Sequence, residues 1–166
     1  MSQFHSPIRS ILFVCTGNIF RSLAAEQALK VLLGPQTPYL VKSAGIDAKP
    51  QPVHEWVKAR LHMKGADPSR HVQRQVTREI VEAADLVIAM SRNHQAFIHE
   101  RFGRELPLFN QVCFGCDKPI PDVHEVIPAW EEDLVQAQAY VSSVIDTIWE
   151  AMPMLVLRLP TFHREQ

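Results

Sequence analysis

Cys15 ends the apolar run Ile11-Leu12-Phe13-Val14. It is followed by Thr16-Gly17-Asn18-Ile19-Phe20-Arg21-Ser22 and then by Leu23-Ala24-Ala25-Glu26-Gln27-Ala28-Leu29, which reads as helix. Strand, thiol, short loop and helix in that order suit a thiolate that attacks a phosphoester. The amides of Thr16, Gly17, Asn18, Ile19, Phe20 and Ser22 can converge on one anion, and the helix start adds donors and a favourable dipole. Arg21 brings a planar fork that matches two phosphate oxygens. So electropositive a nest favours thiolate over thiol, the form that acts as nucleophile. Cys15 is therefore expected to attack phosphorus in line, with Arg21 and the loop amides holding the equatorial oxygens. The Ser22 hydroxyl has two compatible roles, donation to the thiolate or service at the helix start.

A leaving oxygen needs a proton, so a carboxylic acid must reach it. Asp122, in the Pro-flanked loop Ile120-Pro121-Asp122, is the candidate, and Asp117 is its competitor. Cys113-Phe114-Gly115-Cys116 draws notice, but no second pair with metal-ligand spacing follows. Neither a metal nor a cofactor is expected.

The elements that must position these groups alternate. Strand character lies at Ile8–Val14, Tyr39–Ser43, Leu86–Met90 and Leu106–Phe109. Helical periodicity joins Leu23, Ala28, Leu29 and Leu32, and then Val53, Val57 and Leu61, stopping at Lys64-Gly65. Thr77 is placed to cap a helix through Ala83, and Ser91 another through about Arg101. The longest helix is predicted over Ala129–Met152, with a stripe of Trp130, Leu134, Ala137, Val141, Val144 and Ile148. Such alternation predicts a parallel sheet covered on both faces, with ligands outside the carboxyl ends of its strands, where Cys15 stands.

These residues resemble the low-molecular-weight protein tyrosine phosphatases, whose hallmark is Cys-x5-Arg-Ser with a distant aspartate as general acid. Further matches run in family order: Ser43-Ala44-Gly45, His71-Val72-Gln73-Arg74-Gln75-Val76-Thr77, Ala84-Asp85-Leu86-Val87-Ile88-Ala89-Met90 and Ile120-Pro121-Asp122. The resemblance implies one phosphatase domain over residues 1–166. Its fold would be an α/β three-layer sandwich, doubly wound and phosphatase I-like, with a four-stranded parallel sheet and helices on both faces. It implies hydrolysis of phosphomonoesters, above all protein-tyrosine-phosphatase activity, through a cysteinyl-phosphate on Cys15 with Arg21 binding phosphate and Asp122 as acid and base. It also implies that the Asn18 side chain is tied to Ser43 and His71, holding the loop open.

The chain departs from the family pattern in places. Asp122-Val123-His124-Glu125 replaces an Asp-Pro-aromatic run, and Gly45-Ile46-Asp47-Ala48-Lys49-Pro50 lacks the usual aromatic residue. Phe20 stands for a common cysteine and Leu23 for a proline. With Trp56 assigned to the second helix, the pocket is expected to be open, and Lys49 and His124 to favour anionic groups beside the phosphate. Two alternatives remain: arsenate reduction through Cys15 with Cys113 or Cys116, and a catalytically silent phosphate-binding module.

Composition sets further bounds. The chain has 166 residues, 46% hydrophobic and 21% charged, with a net charge of −1. That suits a globular domain and gives no footprint for nucleic acid or an anionic membrane. No run of eighteen apolar residues occurs, and Met1–Ser10 lacks a signal-peptide core. Three cysteines argue against a disulfide framework and for the cytoplasm. The expected partner is a phosphorylated (phosphotyrosine) protein or a small phosphoester, and the expected state a monomer or weak dimer.

Overall fold

In the computed structural model, residues 6–163 are described; the first five residues of the amino-terminal segment read above lie outside them. Strand β1 (Ser10–Cys15) is apolar at every position after the first and is buried on both faces. It forms the centre of a parallel sheet, between β2 (Leu40–Gly45) and β3 (Leu86–Ala89), in the order β2-β1-β3. Ile11, Phe13 and Cys15 point to one core cluster, and Leu12 and Val14 to another, as the two-residue period of a strand requires.

Helices cover both faces. On one lie α1 (Arg21–Leu33), α2 (Glu55–Met63), α5 (Phe109–Phe114) and α7 (Leu134–Arg158); on the other lie α3 (Arg78–Ala83) and α4 (Arg92–Phe102). The short α6 (Val123–Val126) carries the end of the acid loop. The α/β three-layer architecture is as expected, but among the described residues the sheet has three strands, not four. The segment expected as a fourth strand contributes one parallel bridge, Ala89 to Leu108. Pro107 has no N–H to donate and only accepts, from Ala89 N, before Phe109 turns into α5.

Other boundaries shift for local reasons. Thr77 caps α3 by accepting from Ile80 N, as expected. Leu32, assigned to the buried face of α1, is 47% exposed. Helix α7 starts later than Ala129, because Asp133 accepts from Gln136 N and fixes the first turn there. Trp130 precedes the helix and Leu134 is exposed, so the buried stripe begins at Ala137. The helix also runs through Pro153 to Arg158. A proline inside a helix costs about 3 kcal/mol, and burial of a leucine returns about 1.5–3 kcal/mol, so Leu155 and Leu159 together offset it. By length and mean hydropathy the Leu134–Thr161 segment could cross a membrane. Here its Ala137–Leu155 stripe is part of the core that also contains α1, α2 and α5.

The carboxyl ends of β1 and β2 meet in register, Cys15 opposite Gly45. Ile46 N donates to Cys15 O and Asp47 N to Thr16 O, so the β2 exit is laced to the loop after Cys15. A side chain at Gly45 would place its Cβ 2.4 Å from Thr16 O and 3.0 Å from Asn18 N. Only glycine permits that approach.

Candidate active site

The loop from Cys15 to Arg21 turns on Asn18, whose φ of 56° is left-handed. Asparagine tolerates this conformation better than most residues. Its buried side chain spends every donor: Nδ2 donates to Ser22 Oγ at 3.0 Å and to Ser43 Oγ at 2.8 Å. Oδ1 accepts from Arg74 N at 3.0 Å. Because both serine hydroxyls accept from Asn18, their protons turn elsewhere. Ser22 directs its proton to Cys15 Sγ, 2.8 Å away, and Ser43 donates to Glu26 Oε2. Glu26 is in turn paired with Lys30. The expected tie of Asn18 to Ser43 is present, whereas His71 Nε2 meets the Asn18 backbone carbonyl, at 2.7 Å, and not its side chain.

Arg21 is 1% exposed. Nη1 donates to Ser91 Oγ at 2.9 Å and Ile120 O at 2.8 Å, and Nη2 to Asp122 Oδ2 at 2.7 Å. Its Nε is the buried side-chain nitrogen that has no partner among the described residues. A buried N–H without an acceptor costs about 1–3 kcal/mol, so the Nε–Nη2 edge suits an anion.

Asp122 stands at the start of α6, its Oδ1 accepting from Val123 N at 2.8 Å. The loop before it is fixed at two carbonyls. Ile120 O takes Arg21 Nη1 and Ser91 Oγ, and Pro121 O takes the Tyr140 hydroxyl at 2.6 Å. Burial raises the Tyr140 phenol above its ordinary value, so it stays a donor. Asp117, the competitor, is bound on the surface to Arg92 and Gln111. Ser91 is the N-cap residue of α4, as read from the sequence, and its hydroxyl also accepts from Arg21 Nη1 and donates to Ile120 O. The helix start is served by His94, whose Nδ1 accepts from Ser91 N at 3.0 Å.

Cys15, Thr16, Gly17, Ile19, Phe20, Arg21 and Asp122 line one cleft of about 550 Å³. Asn18, Ser22 and Ser43 are buried behind it. Its outer wall corrects the expectation of an open pocket: Trp56 and Trp130 both line it, together with His54 and Val57. Trp56 does belong to the second helix, but α2 begins beside the cleft; His54, capping it, lies with its ring centroid 4.1 Å from that of Trp56. Lys49 and His124 are at the rim as anticipated, with Lys49 paired to Asp47 at 3.2 Å. Cys113 is buried in α5, where desolvation pushes its thiol up to about 12, and Cys116 is exposed. Glu26, Ser91, His94 and Trp130 were not singled out from the sequence as site residues. A glutamate among the alanines of a buried helix face was the one signal available, for Glu26.

The model of the low molecular weight phosphotyrosine protein phosphatase family matches residues 10–110, which include the nucleophile loop and β1 to β3. The chain belongs to that family. A protein-arginine-phosphatase of Bacillus subtilis is 38% identical over 100 residues, 57% of this chain; the chain spans 63% of that protein's length. A probable low molecular weight protein-tyrosine-phosphatase of Ralstonia solanacearum is 31% identical over 146 residues, covering 85% of this chain and 97% of its own. An arsenate reductase of Staphylococcus epidermidis is 34% identical over 88 residues, 53% of this chain and 64% of its own. Among solved structures, an arginine phosphatase from Geobacillus stearothermophilus superposes with a TM-score of 0.76 at 29% identity, over 92% of this chain and 94% of its own.

Proposed function

We propose that the chain is a cysteine-dependent phosphomonoesterase, with phosphotyrosine-bearing protein as its substrate. The observation that carries this reading is the unpartnered Nε of Arg21, beside Cys15 in a cleft walled by Trp56 and Trp130. Cys15 Sγ attacks phosphorus while the bond to the leaving oxygen breaks, and Asp122 gives that oxygen its proton. Water then attacks the cysteinyl-phosphate, Asp122 takes its proton, and Cys15 leaves as thiolate. The Ser22 hydroxyl stabilises that thiolate at both ends of the cycle. The indole walls suit a phenyl ring, each aromatic contact adding about 0.5–1.5 kcal/mol. A reducing, cytoplasmic setting is part of the proposal, because the nucleophile must remain a free thiol.

Phosphoarginine-bearing protein is the second reading, supported by the likeness to proteins named arginine phosphatases. Arsenate reduction is less favoured. It needs a second reactive thiol: burial holds the Cys113 thiol in its protonated form, and Cys116, though exposed, is not among the residues that line the Cys15 cleft. The test compares turnover of a phosphotyrosine peptide, a phosphoarginine peptide, and arsenate with a thiol reductant. The proposal expects phosphotyrosine to be preferred and its turnover to vanish in Cys15→Ser. A higher kcat/KM for phosphoarginine would replace the substrate, and arsenate turnover alone would overturn the activity.

A further inference from the structure

Thr16, directly after the nucleophile, has its Oγ1 2.9 Å from His94 Nε2 and 3.5 Å from Arg21 Nη2. His94 is fully buried. Its other ring nitrogen, Nδ1, faces the amide of Ser91, a group that can only donate. Nδ1 must therefore hold the lone pair. In a neutral ring the single proton is then on Nε2, which donates to Thr16. Burial and the Arg21 charge push His94 down to about 3, so the ring is neutral at working pH.

Thr16 Oγ1 thus accepts from His94 and, at longer range, from Arg21. Both of its lone-pair directions are occupied, and its own proton is committed to neither neighbour. Thr16, Cys15 and Arg21 line the same cleft. We infer that His94 is a positioning residue that makes the Thr16 hydroxyl a one-way donor to a phosphoryl oxygen held in the Cys15–Arg21 loop. This rests on the phosphatase reading of that loop and adds to it a side-chain donor beyond the amides and Arg21. A hydroxyl left free to rotate would have to turn away from competing acceptors before meeting the anion; here the donor direction is set in advance.

The test is a two-residue cycle read by calorimetric binding of inorganic phosphate, with turnover of an aryl phosphate measured separately. Thr16→Val removes the hydroxyl at constant shape and should weaken phosphate about tenfold or more, the size of a hydrogen bond to a charged group. His94→Leu should weaken it comparably in the wild-type background and have little effect once Thr16 is valine. His94→Gln retains one acceptor for Ser91 N and one donor for Thr16, and should restore most of the affinity. Nitrogen NMR of the histidine should show Nε2–H and bare Nδ1 from pH 5 to 8. Unchanged phosphate affinity in Thr16→Val, or equal losses from His94→Leu in both backgrounds, overturns the inference and leaves the phosphatase reading standing. So does a protonated Nδ1. Absence of turnover with the binding cycle intact overturns the activity and leaves the role of His94. A wild type that binds no phosphate overturns both.

Discussion

Arg21 and Asp122, 101 residues apart in sequence, are bound to each other through Nη2 and Oδ2 at 2.7 Å. The side chain proposed to grip the phosphoryl group and the side chain proposed to protonate the leaving oxygen therefore share one donor. A phosphoryl group seated on the Nε–Nη2 edge competes for that donor. In the proposed mechanism the carboxyl it displaces is the one that protonates the leaving oxygen, which would link binding and acid catalysis through one nitrogen.

If that linkage holds, Cys15→Ser should abolish turnover while phosphate binding persists, since serine is the weaker nucleophile in the same loop. Arg21→Lys should lower kcat/KM by about a hundredfold or more, because an ammonium cannot supply two parallel donors. Steady-state rates and phosphate affinity measured on both variants check this. Rates within tenfold of wild type would remove the site assignment.

Asp122→Asn should cost about 10²–10⁴ in kcat for phenyl phosphate and much less for an activated aryl phosphate, whose leaving oxygen needs little protonation. Asp117→Asn should leave both nearly unchanged, its carboxylate being bound to Arg92 and Gln111 on the surface. The reverse ranking would move the acid to Asp117.

Trp56→Ala should raise KM for aryl phosphates about three- to tenfold with kcat little altered, the loss of one aromatic wall. Lys49→Trp, by contrast, should add little, because the wall it would build is already supplied by Trp56 and Trp130. A KM that falls sharply in Lys49→Trp would restore the open pocket expected from the sequence.

Stability should fall below pH 6.5 through His94. The folded protein holds this ring neutral down to about 3, whereas the unfolded chain takes up a proton near its ordinary 6.5. The unfolded state therefore binds more protons between these values, and stability present above pH 6.5 is lost on acidification. The loss is about 1.4 kcal/mol per pH unit, hence about 2 kcal/mol at pH 5. Urea midpoints at pH 7 and pH 5 should show it, and His94→Gln should flatten the difference. An equal acid loss in that variant would assign it to other groups.

The nucleophile loop was legible because its parts are contiguous: strand, Cys15, left-handed turn, Arg21 and helix follow one another within a few residues, and spacing alone specifies how they fold. Asp122 was legible as the favoured candidate over Asp117 from its place after Ile120-Pro121 and from the family resemblance. The partner each carboxylate meets, Arg21 for one and Arg92 for the other, was not. The tie of Asn18 to Ser43 was readable from the family resemblance, while its bond to the Ser22 hydroxyl depends on side-chain direction. The fourth strand failed at Pro107, where a missing donor outweighed an apolar pattern.

What the sequence by itself determined is therefore the chemistry that resides in local order: the thiol, the anion loop, the arginine and the strand–helix alternation around them. What only the tertiary structure decided is everything that depends on distant segments converging. Helix α2 and the turn before α7 carry Trp56 and Trp130 to the same cleft, and His94 reaches Thr16 from 78 residues away. Such contacts have no spacing to be read. They arise because the sheet gathers the ends of β1, β2 and β3 at one edge, and burial there obliges each polar group to find a partner from whichever element lies against it.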